Sequence, residues 1–248
     1  MTVAELLVQN LHERGVDWIA TLCGHGLDPL LNAARQAGLR LVDVRNEQSC
    51  AYMAEAFGRL TRRPGVCAVS SGVAHVNALT GVANAGFDCA PMLLISGAGA
   101  VATRGRGHFQ ELDQVALARQ ITRFSASIDV PELTLFLLNE AYAKALATPP
   151  GPVHLMFPLD VQVAQARGPK VVAVSTSTSR SIMMRSDLRE TAHGLADAKS
   201  PLVIAGSGVF YNHSAQELLT FCTDFDIPIV TPIWDRVWSI SRARSFSG

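Results

Sequence analysis

The sequence has no surplus of positive charge: 21 Lys and Arg residues balance 21 Asp and Glu residues. Nucleic-acid affinity rests largely on cationic side chains that neutralise phosphates, so no nucleic-acid partner is expected. No apolar run approaches the roughly 18 residues that a membrane helix requires, and no membrane partner is expected. The stretch from Met1 to Asn10 lacks a basic flank followed by an apolar run, so no secretory signal is expected there. The 5 cysteines, Cys23, Cys50, Cys67, Cys89 and Cys222, are odd in number and widely spaced, and no two form a CxxC pair. That argues against a disulfide framework and a structural zinc site, and no metal ligand is expected in this chain. A reducing, cytoplasmic setting is the expectation. No GxGxxG follows the first apolar run, and no Walker loop occurs.

What is present is an alternation. The runs "VDWIAT" (16–21), "LRLVDV" (39–44), "GVCAVSS" (65–71), "PMLLISG" (91–97) and "GPVHLMFP" (151–158) read as strands, and "RFSASI" (123–128) as a sixth. Most lack polar alternation, which suits strands covered on both faces. Helical patterns lie near 3–14, 27–37, 47–62, 75–86 and 132–147. Strand–helix alternation with few hairpin turns predicts an α/β fold, a parallel sheet with helices on both faces, over residues 1–165. The Ser/Thr-rich stretch around "VVAVSTSTSRS" reads as a linker over 166–184. A second α/β unit follows over 185–248, with helices near 185–197 and 214–226 and strands at 201–206 and 227–232. That is one crossover, too little to cover an open sheet, so the second domain reads as incomplete.

Several strand ends carry residues that could do chemistry, and each has a structural alternative. In "VRNEQSCAYMAEAFG", Asn46 is a good N-cap and Glu47 takes the first helical position. The helix dipole alone favours a carboxylate there, yet loops at the carboxyl ends of parallel strands are also where clefts form. Ala51, Ala54 and Gly58 make a small-residue stripe, for tight packing or for close approach of a ligand. "SSGVAHVN" places Gly72 at a tight turn, with His75 and Asn77 beside it, either as a capped helix start or as a site for a polar ligand group. "LCGHG" leaves His25 between Gly24 and Gly26, solvated or catalytic. "ATRGRGHFQELDQ" (102–114) is a flexible surface loop or a loop over a site.

Taken in order, "RNEQSCAYMAEAFGRLTRRPGVCAVSSG", "DCAPMLLISG", "FQELDQV" and "ATPPGPVHLMFPLDVQ" resemble the N-terminal pyrimidine-binding domain of thiamine diphosphate enzymes. The similarity is to the group that holds acetolactate synthase, 2-hydroxyacyl-CoA lyase, oxalyl-CoA decarboxylase and benzoylformate decarboxylase. It covers residues 1 to about 165, and 185–236 resemble the start of that family's central domain. The resemblance implies thiamine diphosphate as cofactor, with Glu47 bonding a ring nitrogen of its aminopyrimidine and favouring the imino tautomer. It implies that Gly24 and His25 lie by the reacting centre, with His25 an acid, a base or a substrate contact. Gly72 and Asn77 match the turn beside the pyrimidine, and Phe109 and Gln110 match a segment whose glutamine lines the site. The implied reaction is decarboxylation, carboligation or C–C cleavage of a 2-oxo acid or a 2-hydroxyacyl-CoA.

The family pattern "SGPGxTN" is here "SGVAHVN", with Val73 and Ala74 for a Pro-Gly pair and Val76 for a threonine. The first loop reads "CGHG" where the family has a Pro-Gly pair. No "GDG…N" motif occurs, so the diphosphate and Mg²⁺ are expected to be held elsewhere, by a second copy in a homodimer or tetramer or by a partner chain. For the central domain the resemblance leaves FAD, a nucleotide or no ligand open. One alternative is a truncated, non-catalytic subunit that needs a chain with the diphosphate/Mg domain. A nucleotide-binding oxidoreductase, resting on "AGSGV" (205–209), is opposed by the missing GxGxxG.

Overall fold

A computed structural model of the chain describes residues 1–166 and 185–232. The expected linker, from residue 167 onward, and the tail beyond 232 lie outside the described residues. The chain divides into two units, 1–178 and 179–248.

The first unit is built from α1 (Val3–Glu13), β1 (Trp18–Leu22), α2 (Asp28–Gln36), β2 (Arg40–Asp43), α3 (Glu47–Thr61), β3 (Gly65–Val69), α4 (Val73–Phe87), β4 (Met92–Ala98), α5 (Gln114–Arg119), β5 (Phe124–Ser127), α6 (Thr134–Leu146), β6 (Pro152–Pro158) and α7 (Leu159–Val163). Local signals set the boundaries. Thr2 and Glu5 form a reciprocal capping box at α1. Pro29 stands in the first turn of α2, where its missing N–H costs nothing. Asn46 Oδ1 accepts from Gln48 N at 2.8 Å and starts α3.

The 6 strands form one parallel sheet in the order β2-β1-β3-β4-β6-β5. Alternate residues of the central strands divide the core into two clusters. Ile19, Val66, Ala68, Leu93, Ile95, Val153, Leu155 and Phe157 point toward α1, α2 and α6, a face rich in Leu and Val. Ala20, Cys67, Val69, Met92 and Leu94 point toward α3 and α4, which answer with Cys50, Ala51, Ala54, Ala74, Ala78, Val82 and Ala85. Strands β3, β4 and β6 are buried along their whole length, as covered parallel strands should be. The chain leaves β1 toward one face, into α2, and leaves β3 toward the other, into α4. These strands are neighbours, so their carboxyl ends flank a topological switch point, where open α/β sheets form ligand crevices.

The second unit holds α8 (Arg185–Asp197), β7 (Val203–Ile204), α9 (Ser207–Tyr211), α10 (Ala215–Asp224) and β8 (Ile229–Val230). Its strands pair in parallel over 2 residues each, shorter than the six-residue runs the sequence suggests, and among the described residues β7 and β8 pair only with each other.

Candidate functional site

The loops after β1, β2, β3 and β4 all open on the carboxyl edge of the sheet, and these loops and the helices α3 and α4 that follow two of them carry the candidate residues. Gly24 closes against β3: a Cβ there would stand 2.7 Å from Ser70 Oγ. Ser70 Oγ donates to His25 O at 2.9 Å and ties the first loop to the third strand. Buried Gln162 holds the same loop from below, donating to Gly26 O at 2.6 Å and accepting from Leu30 N at 3.2 Å. The His25 imidazole is exposed and meets the Phe109 ring edge-on at 5.8 Å.

Gly72 starts α4 with φ 58° and ψ −111°, a conformation that L side chains rarely adopt. A Cβ there would lie 2.5 Å from Gln110 O, so the turn after β3 and the loop after β4 touch through the glycine. No side chain caps α4, so the alternative of a capped helix start is not what the structure shows. Glu47 is half-buried at the first turn of α3, and its Oε2 accepts from Asn77 Nδ2, on α4, at 3.0 Å. The two readings of Glu47 coexist, since Asn46 performs the capping and leaves the Glu47 carboxylate to face α4. Burial, and after it the nearby Glu47 carboxylate, pushes the Cys50 thiol up to about 12.

Beneath the Gly72 turn runs a buried chain of hydrogen bonds. Gly72 N–H donates to Gln114 Oε1 at 2.6 Å. Gln114 Nε2 donates to Gly97 O at 3.0 Å and to Ser96 Oγ at 3.1 Å. Ser96 Oγ meets His154 Nε2 at 2.7 Å, and His154 Nδ1 meets Ser125 Oγ at 2.9 Å. Ser125 Oγ donates to Val115 O at 3.0 Å. With the Ser125 proton so used, Nδ1 of His154 must carry the imidazole proton, and Nε2 accepts from Ser96. Burial, and after it His75, holds the His154 pKa well below its ordinary value. His75 is fully buried instead of facing the turn, with its ring 4.7 Å from that of His154. Among the described residues neither of its ring nitrogens has a hydrogen-bond partner. Desolvation lowers its pKa to about 4, and the nearby Gln114 backbone opposes the shift.

A cavity of about 600 Å³ opens beside Gln110, lined also by Ser71, His108, Arg119 and Met156. The loop that walls it is braced rather than loose. The Glu111 carboxylate accepts from the backbone N–H groups of Gly105, Gly107 and His108, which lowers its pKa. Asp160 takes Val101 N at 3.0 Å and Ala102 N at 3.3 Å. Arg104 grips Asp129 with both terminal nitrogens, at 2.6 and 3.1 Å.

Gly24, His25, Gly72 and Gln110 thus gather around the switch point, and Glu47 and Asn77 pair beside it across α3 and α4. Gln114, Ser71, Ser96, His154 and Gln162 were not legible as site residues. For Gln114 the usable signal is Asp113 as N-cap of α5, whose 6 residues are too few to show a period. For His154 the signal is a polar residue inside an apolar strand run, which must be hydrogen-bonded if buried.

Residues 1–117 match the family described as "Thiamine pyrophosphate enzyme, N-terminal TPP binding domain". Over 93% of its length the chain is 32% identical to human 2-hydroxyacyl-CoA lyase 1, covering 40% of that protein. It is 29% identical over 99% of its length to the acetolactate synthase large subunit IlvG of Mycobacterium tuberculosis, covering 46% of it. It is 34% identical over 84% of its length to a probable 2-ketoarginine decarboxylase of Pseudomonas aeruginosa, covering 38%. The chain therefore spans less than half the length of these curated relatives. Residues 1–117, most of the first unit, are thus similar to the N-terminal TPP-binding domain of thiamine pyrophosphate enzymes.

Proposed function

We propose that the first unit binds the aminopyrimidine end of thiamine diphosphate in the crevice between the carboxyl ends of β1 and β3. The observation that carries this is the Glu47–Asn77 pair, which engages Oε2 at 3.0 Å. Among the described residues Oε1 accepts no hydrogen bond, so one carboxylate oxygen is left for a ring nitrogen. The surroundings fit such a ring. The Ser71 hydroxyl is buried without a partner, and the turn at Gly72 has no side chain of its own.

In this reading Glu47 holds a proton at the ring nitrogen, and Asn77 fixes the plane of the carboxylate. Gln110 and His25 stand on the substrate side, with His25 free to donate or accept a proton as the substrate class requires. The bound cofactor supplies an electron sink for breaking or making a bond next to a carbonyl. The reaction is decarboxylation, carboligation or C–C cleavage, and the substrate a 2-oxo acid or a 2-hydroxyacyl-CoA, in line with the names of the relatives. Mg²⁺ and the diphosphate fall to a domain outside this chain, in a homodimer or tetramer or on a partner chain. The exposed apolar side chains of Tyr52, Val73 and Val76, on the helices that carry Glu47 and Asn77, suit burial against such a partner. The setting is cytoplasmic, and FAD remains a candidate for the second unit. A second reading is a binding subunit that turns over only with a partner chain carrying the diphosphate/Mg domain.

Calorimetry tests both readings. The chain is titrated with thiamine diphosphate and Mg²⁺, alone and with a chain that carries the diphosphate-binding domain. Binding only in the mixture is expected. In that mixture Glu47→Gln should slow exchange of the thiazolium C2 proton with solvent at least tenfold, and unchanged exchange would refute the role of Glu47.

A further inference from the structure

The amino-terminal edge of the same sheet, at the far ends of the strands that form the crevice, holds a cavity of about 160 Å³. Its walls include Arg14 at the end of α1, Trp18 at the start of β1, Phe57 of α3, Tyr142 of α6, and Arg62 and Arg63 of the α3–β3 turn. The Arg14 guanidinium lies 5.1 Å from the Tyr142 ring centre, and that of Arg63 lies 5.9 Å from the Phe57 ring. Their hydrogen-bond acceptors are all neutral: Asn10 O and Asn139 Oδ1 for Arg14, and Gly15 O for Arg63. Among the described residues neither Arg14 nor Arg63 closes an ion pair, although the Glu13 carboxylate acts on Arg14 from next door in the chain. Asp17 stands at the rim without closing on either.

Arg14 is partly buried with only Glu13 as a neighbouring counter-charge, and an anion placed between it and the exposed Arg63 would offset more of its desolvation cost. Two further polar groups here, Arg14 Nε and the Tyr142 hydroxyl, are buried without partners. Arg62 holds a left-handed conformation, φ 63°, at the C-terminus of α3, where glycine is the common choice. The chain thus carries an arginine on this wall at a conformational cost.

We propose that this cavity is a second ligand site, for a small organic carboxylate with a compact apolar body. The carboxylate lies between Arg14 and Arg63 and meets the guanidinium N–H groups that the bonds to Asn10, Asn139 and Gly15 leave over. Trp18, Phe57, Val66 and Leu146 flank the body. An apolar cavity of roughly 150 Å³ accepts benzene, so the space suits a ring or a branched chain of that size. The site is separate from the cofactor crevice and does not depend on the reading of that crevice.

The test uses the chain without cofactor and benzoate as the probe, with chloride and phosphate at equal ionic strength as references. A saturable rise in melting temperature with benzoate, beyond that of either reference, is expected. Arg63→Gln, a change at an exposed position, should raise the half-saturating benzoate concentration at least tenfold. Arg106→Gln makes the same charge change on the loop at the opposite edge and should leave it unaltered. Benzoate-induced NMR shifts in the wild type should centre on the Trp18 indole and the Phe57 ring. The proposal is overturned if benzoate does no more than chloride or phosphate, if Arg106→Gln weakens binding as much as Arg63→Gln, or if the shifts map to the carboxyl edge.

Discussion

The two faces of the first unit's sheet are packed by different means. Toward α1, α2 and α6 the core is made of large aliphatic side chains such as Leu7, Leu11, Leu30, Leu138 and Phe157. Toward α3 and α4 it is made largely of Ala, Cys and Gly, with few large groups. On the first face, contact is made by side chains that reach across a gap. On the second, backbones come close: a Cβ at Gly58 would stand 2.0 Å from Pro91 O, and one at Gly81 would stand 2.6 Å from Ala51 Cβ. The large face holds most of the bulky buried side chains. The small face fixes position, because helices in backbone contact with the sheet and with each other have little room to shift. Glu47 and Asn77 stand on those two helices, and their 3.0 Å bond depends on that spacing.

The contrast can be broken by mutation. Leu138→Ala on the large face opens a cavity and should cost about 3–4 kcal/mol in a denaturant melt. Gly58→Ala on the small face adds a single methyl group and should cost roughly 3 kcal/mol. It should do so although alanine suits a helix better by about 1 kcal/mol. A neutral or stabilising Gly58→Ala would show that α3 can move, and the positional account of this face would fail.

A second measurement sharpens the comparison through pH. His75, on α4, has a folded pKa of about 4 against an ordinary value of 6.5. The unfolded chain takes up its proton below 6.5 while the folded chain does not, so stability falls as pH drops from 6.5 toward 4 and levels off below. A shift of that size is worth about 3 kcal/mol, and the lowered His154 adds to it in the same direction. Urea melts at pH 7 and pH 4.5 report the loss. His75→Leu should remove about one proton from the slope, while an unchanged slope would place the acid sensitivity elsewhere. The smallest effect on stability is expected from Glu47→Gln, within about 1 kcal/mol, since Asn46 keeps its capping bond. A loss well above that would make Glu47 a structural residue first.

How much was legible in the sequence depended on the kind of signal. The uninterrupted apolar runs of β3, β4 and β6 and the N-cap at Asn46 are local, and they marked the strands and the start of α3. The resemblance placed Gly24, His25, Glu47, Gly72, Asn77 and Gln110 together, and the structure brings them to one edge of the sheet. The floor of the site was hidden because it is assembled across the chain: Gln114 meets Gly72 over 42 positions, and Ser96 meets His154 over 58. No periodicity records such pairings. The stripe of Ala51, Ala54 and Gly58 showed that something approached closely; only the fold shows it to be α4, β3 and the backbone at Pro91.

The line of donors and acceptors from Gly72 to Val115 begins at a backbone amide and ends at a backbone carbonyl, two groups that cannot exchange roles. Every member in between inherits its direction from those ends. A proton arriving at His154 would set two donors face to face at Ser96, whose hydroxyl would then have to turn away from the ring. Burial therefore guards the line, because the proton that would break it enters only well below the ordinary imidazole range.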